Sequence, residues 1–240
     1  MKRKVLLGLT TTFGSDWRAK IKEIDKLKIQ EIALFPTCLG EKNRKELYAL
    51  LEKTSLLKIL FIHLRDDMQE SEIDYLVNKF GAECFNLHPE EKAYQFVLRS
   101  KYRDRIYIEN LYSTKHRLFF NKEIFQKYNI AGVCLDFSHL AAEEKVYPDY
   151  YPEKLEIIKN TKIGCNHLSV CYPKKKFEPT INSYTYDSHY MEKLSNLDYL
   201  KNYPISFFSN MLAIELENSF KEQLEAKKYI EELIRRKENE

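Results

Sequence analysis

The chain predicts an α/β fold, a single (β/α)8 barrel domain over residues 1–240. Three observations carry this: eight short β-rich apolar runs, helical charge-patterned segments between them, and no linker-like or low-complexity break. With 44% hydrophobic, 31% charged and 13% aromatic residues and few glycines or prolines, there is ample chain for one large core.

The first run, Lys4 to Leu9, follows basic residues and has only five apolar positions in a row. That is too short for a signal peptide or a membrane span, so it reads as a strand. Glu31 to Phe35, Lys58 to His63, Ala82 to Leu87 and Arg105 to Glu109 follow, then Gly132 to Asp136, Ile163 to Val170 and Met211 to Glu217. Between them, DWRAKIKEIDKL, NRKELYALLEK and SEIDYLVNKFG repeat apolar residues at three and four positions, as helices do. Gly81 closes the third of these as a C-terminal cap. Residues 218–240 hold a last helix, FKEQLEAKKYIEELI, and a charged tail. Neither GxGxxG nor GxxxxGK[ST] occurs, which argues against a doubly wound nucleotide-binding sheet.

A net charge of +3 tolerates a polyanionic partner without demanding one. The cysteines, Cys38, Cys84, Cys134, Cys165 and Cys171, form an odd, dispersed set without a CxxC pair. This argues against a disulfide framework and for the cytoplasm. Cys165 shares a strand face with His167; it reads as a core residue, with a soft metal ligand as the other reading. No membrane segment and no obligate protein partner is expected.

In such a barrel the active site lies at the carboxyl ends of the strands. Five of the six histidines fall there: His63, His88, His139 and His167 at or just past strand ends, and His189 in the loop after the seventh strand. Strand ends cover about a tenth to a sixth of the fold, so roughly one histidine would land there by chance. Glu109 and Asp136 end strands, as does Glu215 or Glu217, which face the same side. Imidazole with carboxylate is the ligand set of zinc, manganese or iron. A carboxylate can also bridge two ions and so generate hydroxide near neutral pH. The spacing Asp136-x-x-His139 puts the carboxylate in the mouth and the imidazole on the first loop turn. Asp187-x-His189 converges on one ion if the segment is extended. His116 reads as a surface or helix residue.

Around the rim, Lys174, Lys175 and Lys176 are candidates to attract a phosphate, although such a run is commonly a solvated loop. Tyr147, with Tyr150 and Tyr151, is a candidate to stack a base or sugar, or simply to pack a loop. Arg44 and Arg65 are further phosphate candidates.

Here a resemblance becomes specific. AGVCLDFSHLAAE resembles the sixth strand of the xylose isomerase-like barrel superfamily, and most closely that of endonuclease IV-type enzymes (AP endonuclease family 2), which cleave DNA at abasic sites with three zinc ions. FIHL, NLHP, YIEN, NHLSV, YDSH and AIELE follow in the order of that family. The resemblance implies one ion on His63, His88 and Glu109, a second on Glu109, Asp136, His167 and Glu215, and a third on His139, Asp187 and His189. It favours Glu215 over Glu217, which would follow the apolar triplet Leu212-Ala213-Ile214 less directly. The sequence departs from the family at Glu90-Glu91 after His88-Pro89, at Ser169-Val170, and in its short loops after the second and third strands.

The implied activity is a divalent-metal-dependent phosphodiesterase acting on abasic-site DNA or a related phosphoester, with zinc preferred, up to three ions, and manganese as the other metal. The alternative is a sugar or sugar-phosphate isomerase or epimerase that uses one ion, with Glu109 and Glu215 exchanging a proton at carbon. Damaged DNA or a phosphorylated small molecule is the corresponding partner. A barrel that binds metal without catalysis is the third reading.

Overall fold

The computed structural model describes residues 3–178 and 182–239. Eight parallel strands close into a barrel: β1 (Lys4–Thr10), β2 (Glu31–Phe35), β3 (Lys58–His63), β4 (Cys84–Leu87), β5 (Ile106–Glu109), β6 (Val133–Asp136), β7 (Ile163–Leu168) and, after a hairpin, β10 (Met211–Ile214). Neighbours around the barrel follow chain order, and closure is between β1 and β10. The strands are apolar almost throughout because both their faces are covered. One face packs on the surrounding helices, through residues such as Val5, Leu7, Leu9 and Ile32. The other fills the barrel with Leu6, Ala33, Phe35, Leu60, Phe61, Cys84, Tyr107, Cys134, Cys165 and Ala213. Cys165 is thus a buried residue of the inner core, and all five cysteines are free.

Helices follow the strands at Trp17–Leu27, Glu41–Leu51, Glu70–Phe80 and Glu91–Arg99, among others. Gly81 caps the third in the left-handed conformation, φ 66°, as its glycine predicts. The last helix, Phe220–Lys237, starts with a Ser219/Glu222 capping box and carries most of the expected charged tail. Its Gln223 is fully buried and reaches into the closure seam. The Gln223 carboxamide accepts the Gly8 N–H at 2.8 Å and donates to the Gly8 carbonyl at 3.0 Å. At Gly8 the first and last strands nearly touch: a Cβ there would lie 1.8 Å from the Ile214 carbonyl oxygen.

Two expected boundaries shift. The last strand stops at Ile214 rather than Glu217, although the Glu215 N–H still bonds the Leu168 carbonyl at 2.9 Å. After β7 the chain does not enter a loop but forms an antiparallel hairpin, β8 (Val170–Glu178) and β9 (Ser183–Ser188), whose second strand carries Asp187. Among the described residues, no helix is long and apolar enough to cross a membrane.

Candidate metal centre

Strand register aims the ligand-type side chains at one another. Asp136 and His167 are direct partners across β6 and β7, and His167 pairs with Ala213 of β10, two residues before Glu215. Glu109 ends β5 at the centre of the group. Its Oε2 lies 3.2 Å from His63 Nε2, 3.5 Å from His167 Nδ1 and 3.9 Å from His88 Nε2, while its Oε1 lies 3.3 Å from His139 Nε2. Glu215 Oε2 approaches His167 Nδ1 to 3.1 Å, and Asp187 Oδ2 approaches His139 Nδ1 to 3.3 Å. His189 sits beside Glu215, its Nδ1 3.9 Å from Oε1. All nine expected ligand residues therefore converge at the carboxyl ends of the strands. The Glu217 carboxylate turns away and accepts from the Thr12 hydroxyl at 2.5 Å.

Backbone carbonyls set two tautomers. His63 Nδ1 lies 2.9 Å from the Leu64 carbonyl, which can only accept, so in the neutral ring, the form that binds an ion, Nε2 is the lone-pair nitrogen; it faces Glu109 and His88 Nε2, the latter at 3.0 Å. His189 Nδ1 meets the Glu215 carbonyl at 3.2 Å in the same way. Asp187 accepts from the Tyr112 hydroxyl at 2.6 Å and from Thr185. His139 is not on a loop turn: it stands in the first turn of the helix Phe137–Val146, which begins directly at Asp136.

Among the described residues, four buried atoms of this cluster make no hydrogen bond: Asp136 Oδ2, His139 Nδ1 and both ring nitrogens of His167. Native interiors rarely strand such atoms, and here carboxylates and imidazoles point at common space without hydrogen-bond alignment. That donor set suits a divalent cation. Two sets of three have ligand atoms within 4.8 Å of one another, His63/His88/Glu109 and Glu109/Asp136/His167, and Glu109 belongs to both. Phe35 and Phe61 set ring edges against His167, with centroids 5.1 and 5.3 Å away, and give the site an apolar floor.

The electrostatics follow from this packing. Burial alone would lower His167, yet Glu109 and Glu215 hold it well above the usual imidazole value. His139 is raised likewise against burial, by Asp136, Asp187 and Glu109. Burial favours a protonated Glu109, but His167, His139 and His63 hold it well below the usual carboxylate range. His88 stands at the rim with its side chain 44% exposed; desolvation in the mouth, then the adjacent His63, lower it to about 4.

No family model matches the chain, and no curated protein matches it in sequence. Among solved structures it resembles a xylose isomerase-like TIM barrel protein from Mycobacterium smegmatis in complex with magnesium, with TM-score 0.50, 14% identity, and 91% of this chain and 88% of that one covered. The fold is that of a TIM barrel. A xylose isomerase domain-containing protein from Salmonella typhimurium LT2 also matches, with TM-score 0.47, 15% identity, and 100% and 98% of the two chains covered. So does a protein from Parabacteroides distasonis ATCC 8503, with TM-score 0.45, 15% identity, and 94% and 97% covered.

In this TIM barrel the rim candidates lie outside the cluster. Lys174, Lys175 and Lys176 are exposed on β8; Lys176 pairs with Glu192 at 2.5 Å and Lys175 lies over the Tyr186 ring. Tyr147 packs under the Arg117 guanidinium, 4.4 Å from its ring centre, which is the loop-packing reading rather than a free stacking platform. Arg44 is wholly buried on Glu72 and Asp67, so the phosphate reading of Arg44 is corrected. Arg65 pairs with Asp67 at 3.2 Å. Glu90, a departure from the family pattern, is held by Lys115 at 2.7 Å and His116 at 3.2 Å.

Sequence reasoning missed the supporting residues. Asn86 donates to Glu109 at 2.8 Å, and Asn110 clamps the Asp136 backbone through bonds of 2.6 and 3.0 Å. Both stand beside the motif histidine or glutamate, in NLHP and YIEN, where an amide at a strand end was the available signal.

Proposed function

We propose that this barrel is a divalent-metal-dependent hydrolase of phosphodiester bonds, of the endonuclease IV-like kind. The observation that carries the reading is Glu109, whose two carboxylate oxygens meet His63, His139 and His167 within 3.5 Å. A carboxylate among three imidazoles from separate elements is a bridging arrangement, and nine ligand-type residues exceed the three or four that one ion takes. His63, His88 and Glu109 would hold one ion, Glu109, Asp136, His167 and Glu215 a second, and His139, Asp187 and His189 a third. Bound divalent ions supply Lewis acidity, lowering the pKa of water and neutralising phosphate charge. The chain's own part is to hold the ligands: Asn86 orients Glu109, Tyr112 orients Asp187, and the rings of Phe35 and Phe61 exclude water from below. Abasic-site DNA and related phosphoesters are the substrates in view, and zinc suits the histidine-rich set, with manganese second.

A sugar or sugar-phosphate isomerase or epimerase is the second reading. It is favoured by Glu109 and Glu215, which flank His167 at 3.5 and 3.1 Å as a one-ion proton-exchanging pair would. The Mycobacterium smegmatis neighbour in complex with magnesium is of the same fold.

Metal content decides between them. Elemental mass spectrometry of the wild type and of a His63→Ala/His88→Ala variant should find two or three ions per chain, falling on mutation. One ion unaffected by mutation would defeat the hydrolase reading and direct assays to ketoses and their phosphates.

A further inference from the structure

We propose that the cavity between the β8–β9 hairpin and the loops after β1 and β10 is a subsite for a nucleoside esterified to the scissile phosphate. This deepens the phosphodiesterase reading and rests on it.

The cavity has a volume of about 360 Å3 and is lined by Asp187, so it opens beside the proposed third ion. Its size falls within the range of small-molecule sites, roughly 300–1,000 Å3, and is far too small for a duplex. Tyr172, Phe177 and Tyr190 supply aromatic walls, and Phe177 and Tyr190 are each 50% exposed. Ring faces of this kind hold bases by stacking.

Among the described residues the polar lining is acidic: Glu178, Glu192 and Glu217 stand with Asp187 around Lys176, whose charge Glu192 answers at 2.5 Å. Such a lining repels a run of phosphates and accepts hydrogen bonds from the amino, imino and hydroxyl groups of a neutral nucleoside. Glu217 is set for that task. Its Oε1 is held by Thr12 at 2.5 Å, and its Oε2 lies against Gly14, where a Cβ would come within 2.1 Å of that oxygen. A side chain at position 14 would displace the carboxylate.

The hairpin places both halves of the site. On β9, Thr185 and Asp187 lie on the face that meets Tyr112, and Lys176 of β8 pairs across from Thr185. One short ribbon thus carries a proposed ion ligand and a wall of the pocket. Of the phosphodiesters in view, the pocket thus favours a small diester with one nucleoside over abasic-site DNA.

The test compares full-length, zinc-loaded protein on the p-nitrophenyl diester of thymidine and on bis(p-nitrophenyl) phosphate. The nucleoside diester should be preferred in kcat/KM by about ten-fold, through KM. Phe177→Ala and Glu217→Gln, with ion content checked, should each cut that preference by about five-fold or more. Equal rates on the two diesters, or an unchanged preference in both variants, would overturn the subsite. If neither diester nor an abasic-site duplex is cleaved, the phosphodiesterase reading fails, and equilibrium dialysis with thymidine judges the pocket alone. Binding lost in Phe177→Ala then sustains it; no binding to the wild type removes it.

Discussion

Asp136 and His139 are tied to each other twice: Asp136 Oδ1 accepts the backbone N–H of His139 at 3.0 Å, and Asp136 Oδ2 lies 3.8 Å from His139 Nε2. The carboxylate that ends β6 therefore also starts the next helix, accepting the Ser138 N–H at 2.6 Å as well. One residue fixes a helix and aims its neighbour's imidazole.

The two roles separate by substitution. Asp136→Asn keeps a capping oxygen and loses the charge, so ion content should fall while the chelated protein unfolds near the wild-type temperature. Asp136→Ala should lose the ion and a further 0.5–2 kcal/mol or so of stability, a typical cap. Elemental analysis and thermal unfolding check both; a full ion complement in Asp136→Asn would remove Asp136 from the ligand set.

Proton competition should govern ion binding. Without ions, His139 and His167 are held above the usual 6.5 by carboxylates, and this stabilisation is fully present below 6.5 and lost as pH rises through their raised values. The lowered Glu109 and Asp136 act oppositely, their contribution present above the usual carboxylate values and lost as pH falls. Ions need neutral imidazoles, so binding must release these protons. The melting-temperature gap between zinc-loaded and chelated protein should widen from about pH 6 to about pH 8. Calorimetry showing a constant gap would place these histidines outside the ion site.

Arg44 is a structural cation. Its guanidinium makes a bidentate pair with Glu72 at 2.7 and 2.9 Å and also bonds Asp67 and the Leu39 carbonyl. Tyr48 donates to the same Glu72 at 2.7 Å. Arg44→Ala strands these partners and should cost about 3–5 kcal/mol in denaturant unfolding, with ion content unchanged. A loss below about 1 kcal/mol would mean the network is solvated.

Lys20 is buried on the Thr10 hydroxyl and the Leu216 carbonyl at 2.9 and 2.7 Å, and burial lowers its amine to about 7 against the pull of Glu217. Because the folded value lies below the unfolded 10.5, the unfolded chain holds more protons between them, and stability rises with pH across that window. Leu216 keeps Thr10 and Gln223 as donors without the amine. Lys20→Met should thus stabilise by about 1–2 kcal/mol near pH 6, with the gain shrinking by about pH 9. Urea titrations at the two pH values measure this; a gain independent of pH would show that the folded amine keeps its proton across that range and that burial does not lower it.

The barrel was legible because its strands are covered on both faces and read as apolar runs, and because histidine is rare enough for five of six at strand ends to stand out. The hairpin was not. Pro173 and the exposed Lys174, Lys175 and Lys176 break the alternation that marks a strand, and the far end of β8, Lys176 to Glu178, holds its shape by pairing with β9 rather than by burial. His139 was placed on a loop because a capping aspartate at a strand end looks, in sequence, like the last residue before a turn. The supporting amides escaped notice because Asn86 and Asn110 act through neighbours' atoms, at distances that only the folded register creates.

The Gln223 bonds to Gly8 join residues 215 positions apart in the chain. A ribosome delivers Gly8 215 residues before the clamping glutamine, so β1 is made long before its partner β10. Until then β1 has an open edge, and the mouth lacks Glu215. Ion capture accordingly waits on the late arrival of the closing strand: a chain stopped short of Gln223 should emerge with its early histidines in place and no finished vessel for the metal.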